Sequence, residues 1–242
     1  LGLPPRGSAI AQPWVVPPEA ATHRVSLRFT VKSEIDCDGV SLALEHPEAA
    51  EILCNGQPAD NTPTSWYVDE SIKTVKLPGT NLEWCYLLGD FGVRVSGYEK
   101  TVTPPVRALS FADVTRQGLP FYGGNILYKL PVVGDGRDLS VQVPLYRGAL
   151  VGVLLDGERV GSIVFDPYTV TLPKLSGDHE VGLLLFGNRV NSFGPVHNCD
   201  RSFGWYGPDA WRTQADRWSY EYVLRDFGIL KSPALLPDAP GK

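Results

Sequence analysis

The sequence of 242 residues contains no methionine and only four cysteines, and no apolar run in it approaches the roughly 18 residues of a membrane-spanning helix. None of the cysteines stands in a C-x-x-C pair, and no histidine lies at a spacing that would complete a zinc site. We therefore expect four free thiols and no membrane span, while redox compartment and localisation stay open. Because methionine and a signal-peptide pattern are both absent, we also expect a piece of a longer protein.

Basic residues are somewhat fewer than acidic ones. Lys and Arg number 22 against 27 Asp and Glu, so the formal net charge is −5 and the basic footprint of a nucleic-acid-binding protein is missing. Neither a GxGxxG nor a Walker motif occurs, and no nucleotide cofactor or nucleic-acid partner is predicted. In contrast, 25 glycines and 21 prolines are spread between apolar runs, which is typical of an all-β protein with many turns.

Apolar and polar residues alternate along many short segments, as they do in half-buried β-strands. The run 23–32 is the clearest case in the first half, and the runs 139–145, 151–155 and 181–185 follow in the second. Asn55-Gly56 and Asp156-Gly157 are typical of type I′ hairpin turns, which need a positive φ at both central residues. We therefore predict an all-β fold of antiparallel β-sandwiches of the jelly-roll type.

The two halves of the chain repeat one another weakly. Residues 52–77 carry a hairpin turn, an aromatic-acidic loop and a return strand, and residues 153–172 carry the same features in the same order. A repeat this long indicates tandem domains rather than a solenoid, whose period is roughly 20–50 residues. We predict a first β-sandwich with an N-terminal extended segment over residues 1–103, and a second jelly roll with a C-terminal aromatic loop over residues 104–242. The prolines of Thr101–Pro105 predict an extended connector between them.

Four motifs follow one another in residues 152–197: Val160-Gly161 after an Asp-Gly turn, the aromatic-Pro-Tyr segment Phe165–Tyr168, Gly177–His179 before an apolar strand, and Asn188–Asn191 at its end. In this order they resemble the galactose-binding-like jelly roll that forms the sugar-binding domain of glycoside hydrolase family two. Leu87–Val93 and Gly118–Gly124 are also similar to the C-terminal region of large bacterial α-L-rhamnosidase-like glycoside hydrolases.

The resemblance implies a non-catalytic accessory role. In such enzymes the catalytic carboxylates lie in a separate barrel domain upstream, and this sequence lacks the alternating βα units that a barrel requires. We therefore expect a carbohydrate-binding or domain-bracing region of a glycoside hydrolase, whose partners are a glycan and the upstream barrel of the same parent chain. The alternatives are a purely structural or interaction β-sandwich without a sugar ligand, and an autonomous glycosidase.

A structural calcium ion is the one metal that the resemblance implies, because galactose-binding-like domains often carry one. The turn Gly134–Asp138 offers two acidic residues, but it lacks the D-x-D-x-D-G series of ligands. A solvated turn is therefore the favoured interpretation, and no other cofactor is predicted.

No residue is assigned a catalytic role. Glycoside hydrolysis needs two carboxyl groups, one with a raised pKa, and Asp90 and Glu83 stand in the most apolar settings of the sequence. A turn cap for Asp90, an arginine pair for Glu83 and a backbone bond for Glu45 are the favoured alternatives. Ser176–His179 contains the residue types of a nucleophile and a base, but no G-x-S-x-G elbow is present and a hairpin turn is favoured.

Sugar binding is better supported, because sugar sites combine aromatic platforms with amides, carboxylates and arginines. The segment 189–218 is dense in these residue types, and its glycines indicate a loop. The predicted substrate-binding residues are Trp205, Trp211, Arg189, Asn191, His197, Asn198, Trp66 and Tyr122. An interface with another domain is the alternative role, since Trp and Tyr also anchor interfaces. For Trp218, Tyr220 and Tyr222 we instead expect a closing strand with one aromatic face.

If the aromatic loop is a contact surface, Trp205 and Trp211 lie partly exposed, and replacing either by alanine should cost little stability. A buried tryptophan replaced by alanine instead costs about 3–5 kcal/mol. Denaturant unfolding of W205A and W211A separates the two cases. A loss in the range for full burial would place both residues in a core, and the binding loop would then move to Trp66 and Tyr67 or be abandoned.

Overall fold

The computed structural model describes residues 24–44, 47–59, 85–200, 202 and 215–237. In these ranges the regular structure is almost wholly β-strand, with one four-residue α-helix, so the prediction of an all-β fold is confirmed. Contacts between residues group the chain into two compact units. The first unit comprises Leu1–Phe91 and Asn198–Trp218, and the second comprises Gly92–His197 and Ser219–Lys242.

Short strands form the described part of the first unit. They are β1 (Lys32–Ser33), β2 (Ser41–Ala43), β3 (Leu53–Cys54), β4 (Gln57–Pro58) and β5 (Tyr86–Leu88), with 3-10 turns at Pro47–Ala49 and Ala215–Arg217. β2 pairs antiparallel with β5, and β3 pairs antiparallel with β4. The turn between β3 and β4 is the one predicted at Asn55-Gly56, whose φ angles are 51° and 81°.

The run 23–32 differs from its prediction as a half-buried strand. Of its described residues, only Lys32 lies in a regular strand. The four alternating apolar residues are 47–65% exposed: Val25, Leu27, Phe29 and Val31. Alternation decides which side chains can share a face, but their burial needs a second surface that the local sequence does not encode.

The longer of the described strands lie in the second unit, together with several short ones. They are β6 (Gly92–Ser96), β7 (Glu99–Thr103), β8 (Ile126–Asp135), β9 (Leu139–Gln142), β10 (Tyr146–Arg147), β11 (Val151–Leu155), β12 (Glu158–Ile163), β13 (Thr169–Thr171), β14 (Ser176–Leu185), β15 (Gly228–Ile229) and β16 (Ala234–Pro237). A 3-10 turn lies at Val114–Arg116, and the helix α1 spans Val190–Phe193.

Two larger sheets and a strand pair enclose the core of the second unit. The four-stranded sheet has the order β12-β11-β14-β8, with β8 at one edge, and the three-stranded sheet has the order β13-β9-β16. β10 and β15 form a separate antiparallel pair. Alternate residues point inward and form one apolar cluster: Ile126, Val132, Val141, Val143, Val151, Val153, Ile163, Leu172, Leu175, Val181, Leu183, Leu185, Phe227 and Ile229. This arrangement is an antiparallel β-sandwich.

The predicted connector at Thr101–Pro105 is partly regular structure. Residues up to Thr103 belong to β7, which pairs with β6 over five residues. The grouping of contacts changes between Phe91 and Gly92 and again around residues 198–218. The organisation into sandwiches over residues 1–103 and 104–242 stays a prediction.

The hairpin turn predicted at Asp156-Gly157 is present between β11 and β12, with φ angles of 50° and 88°. Ser176-Gly177, in contrast, does not form the predicted hairpin turn. Ser176 and Gly177 begin β14 and lie opposite Asp135 and Gly134 of β8. The positive φ of Gly177, 88°, introduces an irregularity at the start of a long strand rather than a reversal of the chain.

The Tyr128 hydroxyl group is buried in the core, and among the described residues it has no hydrogen-bond partner. Its side chain is 7% exposed, and burial raises the pKa of its phenol, against a smaller opposing effect of the Ile229 backbone. Tyr146, by comparison, donates its hydroxyl hydrogen to the carbonyl oxygen of Ile163 at 3.1 Å. The two tyrosines therefore form a matched pair for testing the cost of an unsatisfied polar group.

We expect Y128F to leave the free energy of unfolding unchanged or to raise it by up to about 1 kcal/mol, because the substitution removes a buried, unpaired hydroxyl. Y146F should lower it by about 1 kcal/mol, because a hydrogen bond is lost. Urea unfolding of both variants measures the difference. Equal losses in the two variants would contradict the arrangement of the Tyr128 hydroxyl described above.

Candidate functional site

The segment 186–198, which follows β14, contains four of the predicted sugar-binding residues. It forms one short helix, α1, and the chain leaves the helical conformation at Gly194, whose N–H donates to the Val190 carbonyl oxygen. Pro195 follows directly and cannot donate a further helical hydrogen bond. The sequence Gly194-Pro195 thus limits α1 to four residues and directs the chain towards His197.

Both polar atoms of the Asn191 side-chain amide form hydrogen bonds inside the protein. The side chain is only 4% exposed. Its Nδ2 donates to the Arg225 carbonyl oxygen at 2.8 Å, and its Oδ1 accepts from the Arg225 N–H at 2.9 Å. The amide imitates the hydrogen bonding of a neighbouring strand and ties α1 to the segment before β15. Asn191 is therefore a structural residue in this geometry rather than a group presented to a ligand.

Of the predicted site residues that the structure describes, Arg189 and Tyr122 are exposed. The Arg189 guanidinium carbon lies 5.6 Å from the centre of the Phe193 ring. Ser192 Oγ donates to the Phe121 carbonyl oxygen at 2.6 Å. At Gly123 an added Cβ would lie 3.2 Å from Arg189 Cγ, so the loop that carries Tyr122 packs directly against the arginine stem.

His197 is held by backbone carbonyl groups. Its Nδ1 lies 3.0 Å from the Ser219 oxygen and 3.3 Å from the Glu221 oxygen. Because both partners can only accept, Nδ1 carries the hydrogen. The ring of Tyr222 lies 4.8 Å from the imidazole, centre to centre. His197 thus orients the segment 219–222, and its Nδ1 is not a group offered to substrate.

Tyr222 is the centre of a cluster that the sequence analysis did not identify. The Phe121 ring meets it edge-on at 5.1 Å, and Lys100 Nζ donates to its hydroxyl oxygen at 3.0 Å. The three residues come from distant positions in the chain, so no local pattern marks them. The predicted closing strand of Trp218, Tyr220 and Tyr222 is wrong, because Tyr220 is 81% exposed while Tyr222 is half-buried and the segment forms no regular strand.

Asn198 belongs to the first unit and is treated separately for that reason. It is 7% exposed, and its Oδ1 accepts from the Asp200 N–H at 2.9 Å. A bridge joins its backbone to Trp218. Arg217 Nε lies 3.4 Å from Asp200 Oδ2 and supports the same turn. This residue too takes part in local structure.

The other sequence candidates are distributed as follows. Trp66, Trp205 and Trp211 lie outside the described residues, as do Glu45 and Glu83. Asp90 is exposed at the turn between β5 and β6. The structure therefore places Gly123, the neighbour of Tyr122, against the stem of Arg189, and gives Asn191, His197 and Asn198 internal partners. The tryptophan predictions stay predictions.

His179 of the Ser176–His179 segment forms a structural pair with Asp156, which lies in the turn between β11 and β12. His179 Nδ1 lies 2.7 Å from Asp156 Oδ2, and the other carboxylate oxygen accepts from the Glu180 N–H at 2.9 Å. The bond to Asp156 raises the pKa of His179, and a backbone hydrogen bond to Ser176 adds to this. The Glu180 N–H, followed by His179, lowers the pKa of Asp156. These contacts fasten the β11–β12 turn to β14 and leave no base directed at a serine hydroxyl.

The acidic residues of the candidate calcium turn have cationic partners. Arg137 pairs with Asp135 and lowers the pKa of that carboxyl group. Lys174 Nζ lies 3.8 Å from Asp138 Oδ2. Within the part of the chain that the structure describes, no group of three His, Cys, Asp or Glu side chains is placed to hold a metal ion.

The chain has a distant likeness to solved structures. No family model matches the chain, and no curated protein matches it. A rhamnosidase from Novosphingobium sp. PP1Y is similar over 60% of this chain and 14% of that protein, with 18% sequence identity and a TM-score of 0.32. The chain thus spans a small fraction of that enzyme's length. None of the described helices is long and apolar enough to cross a membrane.

The role of Asn191 can be tested by removing its amide. N191A should lower the free energy of unfolding by about 2 kcal/mol, because two hydrogen bonds are lost in a buried setting. N188A is the control, since the exposed Asn188 accepts only one local hydrogen bond, from Val190 N–H, and should cost less than about 1 kcal/mol. Chemical denaturation of both variants gives the comparison. Equal losses of stability in N191A and N188A would contradict a structural role for Asn191 and would leave its amide available to bind a ligand.

Proposed function

We propose that this chain is a non-catalytic accessory region of a glycoside hydrolase, which binds glycan or braces the catalytic domain. The segment with the glycoside hydrolase resemblance, residues 152–197, runs from β11 through α1. It supplies β11, β12, β13 and β14 of a β-sandwich with its own apolar core. The motifs and the sandwich therefore agree on a folded module of the accessory type.

The surroundings of the carboxyl groups carry the non-catalytic part of the proposal. A general acid for glycoside hydrolysis needs a pKa raised by burial or by a like charge. Among the described residues, the buried polar side chains are Ser140, Asn191 and Asn198, none of which is a carboxylate. Of the described carboxyl groups, Asp135 and Asp156 have shifted pKa values, and both values are lowered. These are the opposite of the conditions that hold a proton for the leaving group.

The internal hydrogen bonds of the 189–198 segment favour the second of the two proposed roles, bracing of the catalytic domain, over glycan contact at those residues. Asn191 and His197 are bonded to backbone groups of the segment 219–225. Their polar groups would have to leave these partners to reach a sugar, and each exchange would cost about the energy of the bond that is broken. Arg189 and Tyr122 stay available at the surface.

The proposal predicts that the isolated chain does not hydrolyse aryl glycosides. Release of nitrophenol from α-rhamnoside, β-galactoside and β-glucoside substrates should remain at the level of the uncatalysed reaction. D90N and E83Q are the informative variants, because these residues were the candidate acids. Turnover by the wild-type chain that either substitution abolishes would contradict the proposal and support the autonomous glycosidase.

A further inference from the structure

The hairpin turn between β3 and β4 presents an asparagine side chain to solvent. Asn55 and Gly56 form this turn, and both residues are exposed. A Cβ added at Gly56 would meet no atom within 4 Å, so the space around the turn is open. The sequence contains no other Asn-Gly pair. Asparagine is among the thermally labile residues of proteins, so the state of this amide has a chemical consequence.

Asn55 differs from the other asparagines that the structure describes. Each of the others uses its side-chain oxygen to accept a backbone N–H: Asn125 from Gly187, Asn188 from Val190, Asn191 from Arg225 and Asn198 from Asp200. The Asn55 amide makes no hydrogen bond with the described residues, and neither does the Gly56 N–H. No hydrogen bond among these residues therefore has to break before the Asn55 side chain and the Gly56 nitrogen come together.

The hairpin below this turn is short. Leu53 pairs with Pro58 and Cys54 pairs with Gln57, and the two strands end there. Because a two-stranded hairpin is only marginally stable by itself, its turn can change backbone conformation at small cost. Closing a ring between an asparagine side chain and the next backbone nitrogen needs such a change. Glycine in the second position permits it, since glycine has no Cβ.

We propose that Asn55 is a site of spontaneous hydrolytic deamidation, in which the co-reactant is water. The Gly56 nitrogen loses its proton to hydroxide and attacks Asn55 Cγ, the bond from Cγ to Nδ2 breaks, and ammonia leaves. A cyclic succinimide remains. Water then opens the ring at either of its carbonyl groups and yields aspartate or isoaspartate. In sum, an amide and a water molecule give a carboxylic acid and ammonia, with no oxidation or reduction.

The turn at Asp156-Gly157 has a similar backbone conformation but a side chain that is held in place. Its φ angles of 50° and 88° are close to the 51° and 81° of the turn at Asn55. The Asp156 carboxylate lies 2.7 Å from His179 Nδ1 and accepts the Glu180 N–H at 2.9 Å. D156N therefore places a second Asn-Gly pair in a turn of the same kind, where the side-chain oxygen can still accept the Glu180 N–H. This variant separates the effect of the structure from that of the sequence.

The test uses the full chain, incubated at neutral and at alkaline pH. Peptide mapping by mass spectrometry follows the acid that forms at each asparagine, and an ammonia assay follows the leaving group. Acid should form at Asn55, at a rate that rises with hydroxide concentration, because the Gly56 nitrogen must lose a proton. In D156N the 55–56 turn should react about tenfold faster than the 156–157 turn, because the hydrogen bond from Glu180 must first break. N55D is the control for ammonia, since its release from this position should be lost.

The same incubation in urea gives the reference for the unfolded chain. There the two Asn-Gly pairs of D156N should react at similar rates, so that a difference in the folded chain comes from the structure. Equal or reversed rates at the two turns of folded D156N would overturn the proposal. So would an Asn55 amide that stays intact in the folded wild type while the unfolded chain reacts, because the turn would then protect the amide.

Discussion

The pairing of β8 with β14 over ten residues is the constraint on which the described part of the second unit depends. It places Ile126, Tyr128 and Leu130 opposite Leu185, Leu183 and Val181, so that this part of one face of the sheet is apolar. Burial of that face against β9 and its neighbours supplies the main favourable free energy of folding. β14 ends at Leu185, and the chain continues from there into the segment that carries α1. The positions of Arg189 and Asn191 therefore depend on the pairing of β8 with β14.

Features set by adjacent residues could be predicted from the sequence, whereas features set by distant contacts could not. The turns at Asn55-Gly56 and Asp156-Gly157 were predictable because their backbone conformation depends on two residues. The burial of the 23–32 run was not predictable, since it depends on a surface elsewhere. The hairpin turn predicted at Ser176-Gly177 was wrong for a similar reason. β8 supplies a partner strand, and the pairing with β8 extends through the glycine.

The candidate site shows the same division between residue type and residue placement. Composition identified a segment rich in amides, arginines and aromatics, but it could not show that the Asn191 amide meets a backbone 34 residues away. Nor could it predict the hydrogen bond between Tyr222 and Lys100, which lie 122 residues apart. The sequence analysis named Phe165 as part of a family-like motif. Only the structure shows that the ring of Phe165 is exposed rather than buried.

The edge position of β8 has a consequence for how copies of this chain behave in concentrated solution. Among the described strands β8 pairs only with β14, and an edge of this kind can offer backbone groups to a second molecule. Leu127 and Val133 are exposed along it, the latter by 74%. Pro131 interrupts the strand near its middle with a residue that cannot donate a hydrogen bond, and Lys129 places a charge beside it. An approaching strand would meet a proline and the ion pair of Lys129 with Glu180, features that disfavour pairing of β8 with a strand of a second molecule.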